Sequence, residues 1–116
     1  MLWGLQWDAT CKWLATSNFD IKNSSTWGNH KDNTANGAGS KQNTGYSESW
    51  KANNIYDFAG NCYEITQEAN DAYNRAIRGG YYLLTGSNYS ASSHDNTGPT
   101  FTNSNNGSRP TLYLIP

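Results

Sequence analysis

The sequence predicts an α+β domain that is rich in loops, with one main helix and a few short antiparallel strands. Three observations favour this fold class: apolar residues at helical spacing near the start, a segment of period-two alternation near the middle, and two long polar segments. The 116 residues match one domain covering 1–116. Five Trp, eight Tyr and three Phe at a net charge of −1 predict a folded chain with a mostly aromatic core rather than a disordered one.

The helix is predicted over residues 6–16. Asp8 and Lys12 are spaced to form an i,i+4 ion pair along its side. Four apolar residues at i, i+4, i+8 and i+11 share one face, which we expect to be buried. They are Trp3, Trp7, Cys11 and Leu14.

A β-hairpin is predicted in the second half of the chain. Residues 62–67 alternate with a period of two, and residues 75–78 follow after a polar turn. Gly79 and Gly80 then permit a positive φ or a close backbone approach. Residues 81–84 are expected to continue as a strand.

Two long polar segments separate these elements. Residues 17–52 form the longer one, and such length in a compact domain indicates a functional loop tethered by its few aromatic rings, or one that is partly disordered. Residues 85–108 form the second. Residues 109–115 are β-like again, with Pro110 tolerated at a strand start or edge.

Composition excludes several classes of partner and setting. Lys and Arg are scattered singly, without the basic stripe that nucleic-acid binding requires. No apolar run approaches the roughly 20 residues that span a bilayer. The segment after Met1 lacks the basic and apolar regions of a signal peptide, so nothing in it directs export. Cys11 and Cys62 either form one disulfide or remain two buried thiols, and the second reading is favoured.

Three short motifs occur in one order along the chain. They are Asp57-x-x-Gly60-Asn61-x-x-Glu64, Arg78-Gly79-Gly80 and Gly107-x-Arg109. Together with the Trp-rich start, this combination resembles the C-terminal half of formylglycine-generating-enzyme-like (sulfatase-modifying-factor) domains, especially those of gut Firmicutes and their phages. The resemblance implies a C-type-lectin-like fold. Because those domains are longer at the N-terminus, it also implies a chain that is N-terminally truncated and begins inside the fold.

The same resemblance bears on catalysis. In the oxidases of this family, two cysteines downstream of the Arg-Gly-Gly element bind copper, and here no cysteine follows Cys62. Related sulfoxide synthases use a histidine cluster, whereas His30 and His94 are isolated and are expected at the surface. We therefore expect no catalysis. The alternatives are a formylglycine-generating enzyme with a different site, and an inactive truncated relative.

A structural Ca²⁺ ion is a second expectation from the resemblance. In related members, the positions corresponding to Asp57, Gly60, Cys62 and Glu64 bind Ca²⁺, the third through its main-chain oxygen only. Hard oxygen ligands of this kind suit Ca²⁺. The alternative is that the Asp57 side chain caps a turn while Glu64 pairs with an arginine, either Arg78 or Arg109.

Structural roles are expected for the remaining motif residues. Arg78 and Arg109 stand at strand boundaries, where a guanidinium satisfies carbonyl groups or a carboxylate. Asn61 is expected to bind the backbone of its turn. Gly79 and Gly80 are expected to shape the turn after the hairpin.

The segment 81–106, which overlaps the second polar segment, has the composition of a binding surface. Residues 81–106 have the Tyr, Ser, Asn and Gly composition of antibody-type loops, and some relatives are variable proteins of diversity-generating retroelements. The expected function is a non-catalytic ligand-binding or adhesion module for a protein or glycan, on a phage particle or bacterial surface, with the oligomeric state open. A solvated loop without a ligand is the alternative. The residues expected to face the ligand are Tyr81, Tyr82, Asn88, Tyr89, His94, Asn96, Phe101 and Asn105.

Overall fold

The computed structural model describes residues 1–110 and has an α+β fold. One helix, α1 (Gly4–Thr16), precedes all the strands, and a short 3₁₀ turn (Glu48–Trp50) leads into the first of them. The strands are β1 (Lys51–Ala52), β2 (Ile55–Tyr56), β3 (Tyr63–Ala69), β4 (Arg75–Arg78), β5 (His94–Thr97) and β6 (Asn106–Gly107). β1 and β2 form a small antiparallel sheet. The other four form a mixed sheet in the order β5-β4-β3-β6, in which β6 runs parallel to β3.

Helix α1 confirms the predicted helix and begins two residues earlier. Trp3 is its N-cap, with extended backbone, and its N–H donates to Oε1 of Gln6 at 2.8 Å. Trp7, Cys11 and Leu14 are buried as predicted. Trp3 is exposed, because its extended backbone at the cap takes it out of the helical face.

The predicted Asp8–Lys12 ion pair is wrong. Asp8 instead pairs with Arg78 at the end of β4, with Oδ1 2.6 Å from Nη2. A buried guanidinium needs a charged partner far more than an exposed lysine does, because losing water costs the buried charge more.

Three of the five tryptophans and Phe58 build the aromatic part of the core, and no tyrosine of the described residues joins them. Trp7 stacks on Phe58 with ring centroids 4.1 Å apart, and its indole N–H donates to the Ala91 carbonyl at 2.8 Å. Trp27 and Trp50 are buried as well. No tyrosine within residues 1–110 is buried. The core is therefore aromatic as predicted, but it is built from tryptophan and phenylalanine rings, while the tyrosines of residues 1–110 are half-buried or exposed.

The long loop 17–52 is tethered by buried amides as well as by rings. The side-chain amide of Asn29 donates to the Ser40 carbonyl at 2.8 Å and to Oδ1 of Asn61 at 3.1 Å. Asn61 in turn accepts from the N–H of Gln42 and donates to its carbonyl, both at 2.9 Å. Because a buried amide must have its partners, these bonds fix where the loop returns to the domain. Asn61 thus binds backbone of the distant loop, and not that of its own turn as predicted.

The β3–β4 hairpin is confirmed, with Ile65 opposite Ile77. The strand expected over 81–84 is wrong: Gly79 and Gly80 have φ of +86° and +69°, and the chain leaves the sheet in a turn. Residues 109 and 110 lie in no strand, and the rest of the segment predicted over 109–115 lies outside the described residues.

The burial of the two histidines and the two cysteines agrees only in part with the expectations from the sequence. His30 is fully buried, so its expected surface position is wrong, whereas His94 is exposed. Both cysteines are free thiols; Cys11 is buried and Cys62 is half-buried. Over residues 1–110, no helix is long and apolar enough to cross a membrane.

Candidate functional site

Three tyrosine rings meet where β3 begins and where the chain leaves β4. Tyr63 is the first residue of β3, and Tyr81 and Tyr82 follow the Gly79-Gly80 turn. The ring of Tyr81 lies 5.1 Å from that of Tyr63 and 5.5 Å from that of Tyr82, the latter edge to face. Aromatic pairs favour these tilted and edge-to-face arrangements. Because all three rings are half-buried, they present a partly exposed aromatic patch.

A shallow cavity of about 160 Å³ opens beside this patch. Phe101 covers one side of it and is 58% exposed. Amide side chains form most of the remaining rim; they are Asn96, Asn103, Asn105 and Asn106. We refer to Tyr63, Tyr81, Tyr82, Tyr89, Phe101 and this rim as the tyrosine surface.

Tyr89 belongs to this surface because its backbone lies against Gly80, the residue that precedes Tyr81. The pKa of Tyr63 is raised to about 12, mainly by burial and to a smaller extent by electrostatic interaction with Asp95, Tyr81 and Tyr89. Tyr89 is itself 40% exposed. The Tyr63 phenol therefore stays protonated at every physiological pH and remains a hydrogen-bond donor.

The structure brings together most of the residues expected to face a ligand. Tyr81, Asn96, Phe101 and Asn105 line the cavity, and Tyr82 contacts Tyr81. Asn88 and His94 are exposed but do not line the cavity.

Tyr63 was missed by the sequence analysis. It stands on β3 at the position next to Glu64, so the alternation of that strand places the two side chains on opposite faces. The alternation is visible in the sequence, and it could have predicted that Tyr63 lies on the face of β3 opposite Glu64.

The geometry of Gly80 holds the tyrosine surface in place. Its φ is +69°, and a Cβ there would lie 2.4 Å from the carbonyl oxygen of Tyr89. The backbone N–H of Tyr82 donates to the carbonyl of Asn61 at 3.1 Å. Only glycine allows the two segments to approach this closely, so the expected shaping role of the glycines is consistent with the structure.

A second and larger concavity, of about 520 Å³, lies at the Asp57–Glu64 motif. Glu64 and Arg109 form a two-pronged ion pair in it, Nε to Oε2 at 3.0 Å and Nη2 to Oε1 at 2.5 Å. Arg109 also donates to the carbonyl of Tyr56 at 2.9 Å. Burial raises the pKa of the Glu64 carboxyl, and the Arg109 guanidinium opposes that rise.

Asp57 lies in the same cleft, buried, with φ of +53°. Its Oδ2 accepts from the N–H of Gly45 at 3.3 Å, a residue of the long loop. Burial raises the pKa of the Asp57 carboxyl, and the Gly45 N–H and the charge of Arg109 lower it in part.

The cleft fits Ca²⁺ poorly. Both oxygens of Glu64 are engaged by Arg109, whose positive charge repels a cation from that carboxylate. Gly60 does not line the cleft, although Asp57 and Cys62 do. Among the residues the structure covers, no group of three or more His, Cys, Asp and Glu side chains is placed to hold a metal. The Glu64–Arg109 pair matches one part of the alternative that the sequence left open, whereas Asp57 accepts from Gly45 of the long loop and not from its own turn.

Arg78 ties β4 to α1. Its guanidinium is buried over the Trp7 ring, 5.9 Å from the centroid, and it pairs with Asp8 and, at 3.6 Å, with Glu68. A Cβ on the neighbouring Gly79 would lie 2.9 Å from the carbonyl oxygen of Phe58. These contacts are consistent with the structural roles expected for both residues.

The two thiols are poor nucleophiles in this environment. Burial raises the pKa of Cys11 to about 11 and also raises the pKa of Cys62, which lines the cleft. Thiolate is the reactive form, so the raised pKa values lower the reactivity of both groups near neutral pH.

Comparison of the chain with family models, curated protein sequences and solved structures finds no match. The functional conclusion therefore depends on the residues, contacts and exposure described above.

Proposed function

We propose that this chain is a non-catalytic ligand-binding or adhesion module whose tyrosine surface binds a protein or a glycan. The observation that carries the proposal is the juxtaposition of partly exposed aromatic rings and asparagine residues around one cavity. The proposal extends to a C-type-lectin-like scaffold of the formylglycine-generating-enzyme type and to a phage or bacterial surface setting, both of which the sequence motifs support.

The chemistry of the surface suits recognition. Tyrosine and phenylalanine rings supply apolar contact area and lose little conformational entropy on binding, because each has only two side-chain torsions. The asparagine amides both donate and accept hydrogen bonds, so they match hydroxyl groups of a glycan and peptide groups of a protein. An aromatic platform with a few convergent polar groups is the usual composition of a binding site.

The surface is also fixed before any ligand arrives. Tyr82 is bonded through its backbone to Asn61, and the backbone N–H of Tyr89 donates to the carbonyl of Thr85 at 2.8 Å. Asn96 is on β5, which pairs along its length with β4. Because its backbone is already ordered, binding loses less conformational entropy than it would with a free loop.

The proposal is tested by substituting two rings of the surface. Wild-type protein and the Tyr82→Ala/Tyr89→Ala variant are applied to a glycan array and to an array of bacterial surface proteins. Tyr73→Ala is the matched control, because Tyr73 is 81% exposed in the β3–β4 turn and is outside the tyrosine surface.

We expect the wild type and the Tyr73 variant to bind the same array members and the double variant to bind at least about tenfold more weakly, a loss of roughly 1.4 kcal/mol. Melting temperatures should stay close together. Undiminished binding by the double variant would show that the surface is assigned wrongly.

A further inference from the structure

The outward side of α1 carries large apolar side chains that the described part of the chain leaves uncovered. Leu5 is 84% exposed and Trp13 is 49% exposed, with Ala9 exposed between them. At 100° per residue, positions 5, 9 and 13 fall within about 80° of one another, so they form a single stripe along the helix. Trp3 extends the exposed apolar area beyond the N-terminus of the helix. Contiguous exposed apolar surface of this kind marks an interaction site.

Charged groups flank the stripe on one side. Asp8 and Lys12 lie on the same edge of α1. Oδ1 of Asp8 accepts from Arg78, and the Asp8 side chain is 54% exposed. Lys12 makes no ion pair within residues 1–110. This edge therefore carries one cation without a partner.

A groove of about 320 Å³ runs along that same edge. It is lined by Trp3, Gly4, Leu5, Asp8 and Glu68. The groove brings two carboxylates, Asp8 and Glu68, to one guanidinium, that of Arg78. It therefore has one negative charge in excess, next to an apolar wall.

A second copy of the same helix fits both the apolar stripe and the acidic groove. When two identical helices pair antiparallel about a two-fold axis, each flank meets the same flank of the partner, and the contact is self-complementary. With the axis near Ala9, Leu5 of each copy lies against Trp13 of the other. Lys12 of each copy then lies at the other's groove, beside Asp8 and Glu68, and supplies the missing positive charge.

We propose that the protein forms a two-fold homodimer through the outward stripe of α1. The 13-residue helix is about 20 Å long, so the interface is smaller than the roughly 800 Å² per partner of a standard stable complex. We therefore expect a reversible dimer with a dissociation constant between about 1 μM and about 1 mM. The dimer would present two tyrosine surfaces and would therefore bind a repetitive target with higher avidity than the monomer.

Sedimentation velocity of the full chain tests the pairing. Samples span about 1 μM to about 1 mM, the range in which the dimer should form. The wild type should shift from monomer to dimer as concentration rises. Trp13→Glu should stay monomeric, whereas the control Tyr73→Glu, at an exposed aromatic ring elsewhere, should dimerise as the wild type does. A wild type that stays monomeric, or a Trp13→Glu variant that dimerises normally, overturns the proposal.

The charged contact has its own matched pair of variants. Lys12→Glu places a third carboxylate at the acidic groove and should weaken the dimer at least about tenfold. Lys22→Glu makes the same charge change at an exposed position outside α1 and should have no effect. Equal dissociation constants for the two variants would contradict the charge arrangement.

Crosslinking reports the two-fold axis directly and does not depend on a variant that weakens association. In a Cys62→Ser background, Ala9→Cys should give a covalent dimer with a short bismaleimide, because position 9 meets its own copy at the axis. Thr100→Cys, exposed and outside the stripe, should not. Equal crosslinking at both positions would contradict the proposed axis and would indicate that the outward stripe of α1 binds a different partner.

Discussion

Acid should destabilise this protein through His30. The imidazole is fully buried, with Nε2 2.9 Å from the hydroxyl oxygen of Ser24. Burial lowers its pKa to about 4 from the ordinary value of 6.5, and the nearby charge of Asp32 opposes that change only in part. The folded protein therefore holds this side chain neutral at pH values where the unfolded chain binds a proton.

The sign and size of the effect follow from those two pKa values. Above pH 6.5 the histidine is neutral in both states and stability does not depend on it. Below pH 6.5 the unfolded chain takes up the proton first, so the free energy of unfolding falls by about 1.4 kcal/mol per pH unit. The decrease ends near pH 4, where the folded protein is protonated as well. Over the whole window the loss is about 3 kcal/mol.

Urea unfolding near pH 7.5 and near pH 4.5 measures this loss. His30→Gln removes the titrating group and keeps a polar side chain near Ser24, so the variant should be less stable at both pH values. Its loss of stability on acidification should be about 2 to 3 kcal/mol smaller than that of the wild type. His94→Gln removes the exposed histidine and should leave the wild-type loss unchanged.

Carboxylates away from His30 should contribute equally to all three proteins, so the comparison measures the imidazole together with its interaction with Asp32. If His30→Gln does not fold, His30→Asn serves the same comparison. A glutamine or asparagine variant that loses as much stability as the wild type between the two pH values would refute the account of His30.

Three further predictions follow from the cleft and the glycine turn. Arg109→Ala leaves the buried Glu64 carboxylate unpaired and should lower the free energy of unfolding by about 3 kcal/mol in urea titration; a loss below about 1 kcal/mol would mean that water replaces the guanidinium at no cost. Gly45→Ala introduces a side chain at a positive φ in open space and should lower the free energy of unfolding by about 1 kcal/mol. Gly80→Ala has a similar φ and in addition brings its Cβ against the Tyr89 carbonyl, so it should lower that free energy by more. Equal losses for the two variants would contradict the close approach at Gly80. EDTA followed by excess Ca²⁺ should leave the melting temperature unchanged, because the guanidinium already occupies the motif carboxylate; a rise on adding Ca²⁺ would restore the cation hypothesis.

Local pattern was sufficient for α1 and for the β3–β4 hairpin, but it predicted none of the short strands β1, β2, β5 and β6. The spacing of Trp7, Cys11 and Leu14 predicts α1 because one helical face must bury its apolar side chains, and that requirement holds whatever those side chains pack against. The alternation of β3 and the turn before β4 predict the hairpin in the same way. Composition also indicated that the segment after Gly80 lies at the surface, since its rings are interleaved with amides and hydroxyls. Each of these features depends on residues close together in the chain.

The tertiary structure decided which charged and polar side chains pair with one another. The sequence offered Glu64 two arginines, and the structure pairs it with Arg109, 45 residues away, while Arg78 turns to the helix. It also buries His30, which nothing in the neighbouring sequence distinguishes from exposed His94. The reason is physical: a polar group is buried only where the fold supplies partners that offset its loss of water, and those partners come from distant segments. The sequence determined which segments are helix, hairpin and surface; only the packing of those segments decided which charges and amides meet.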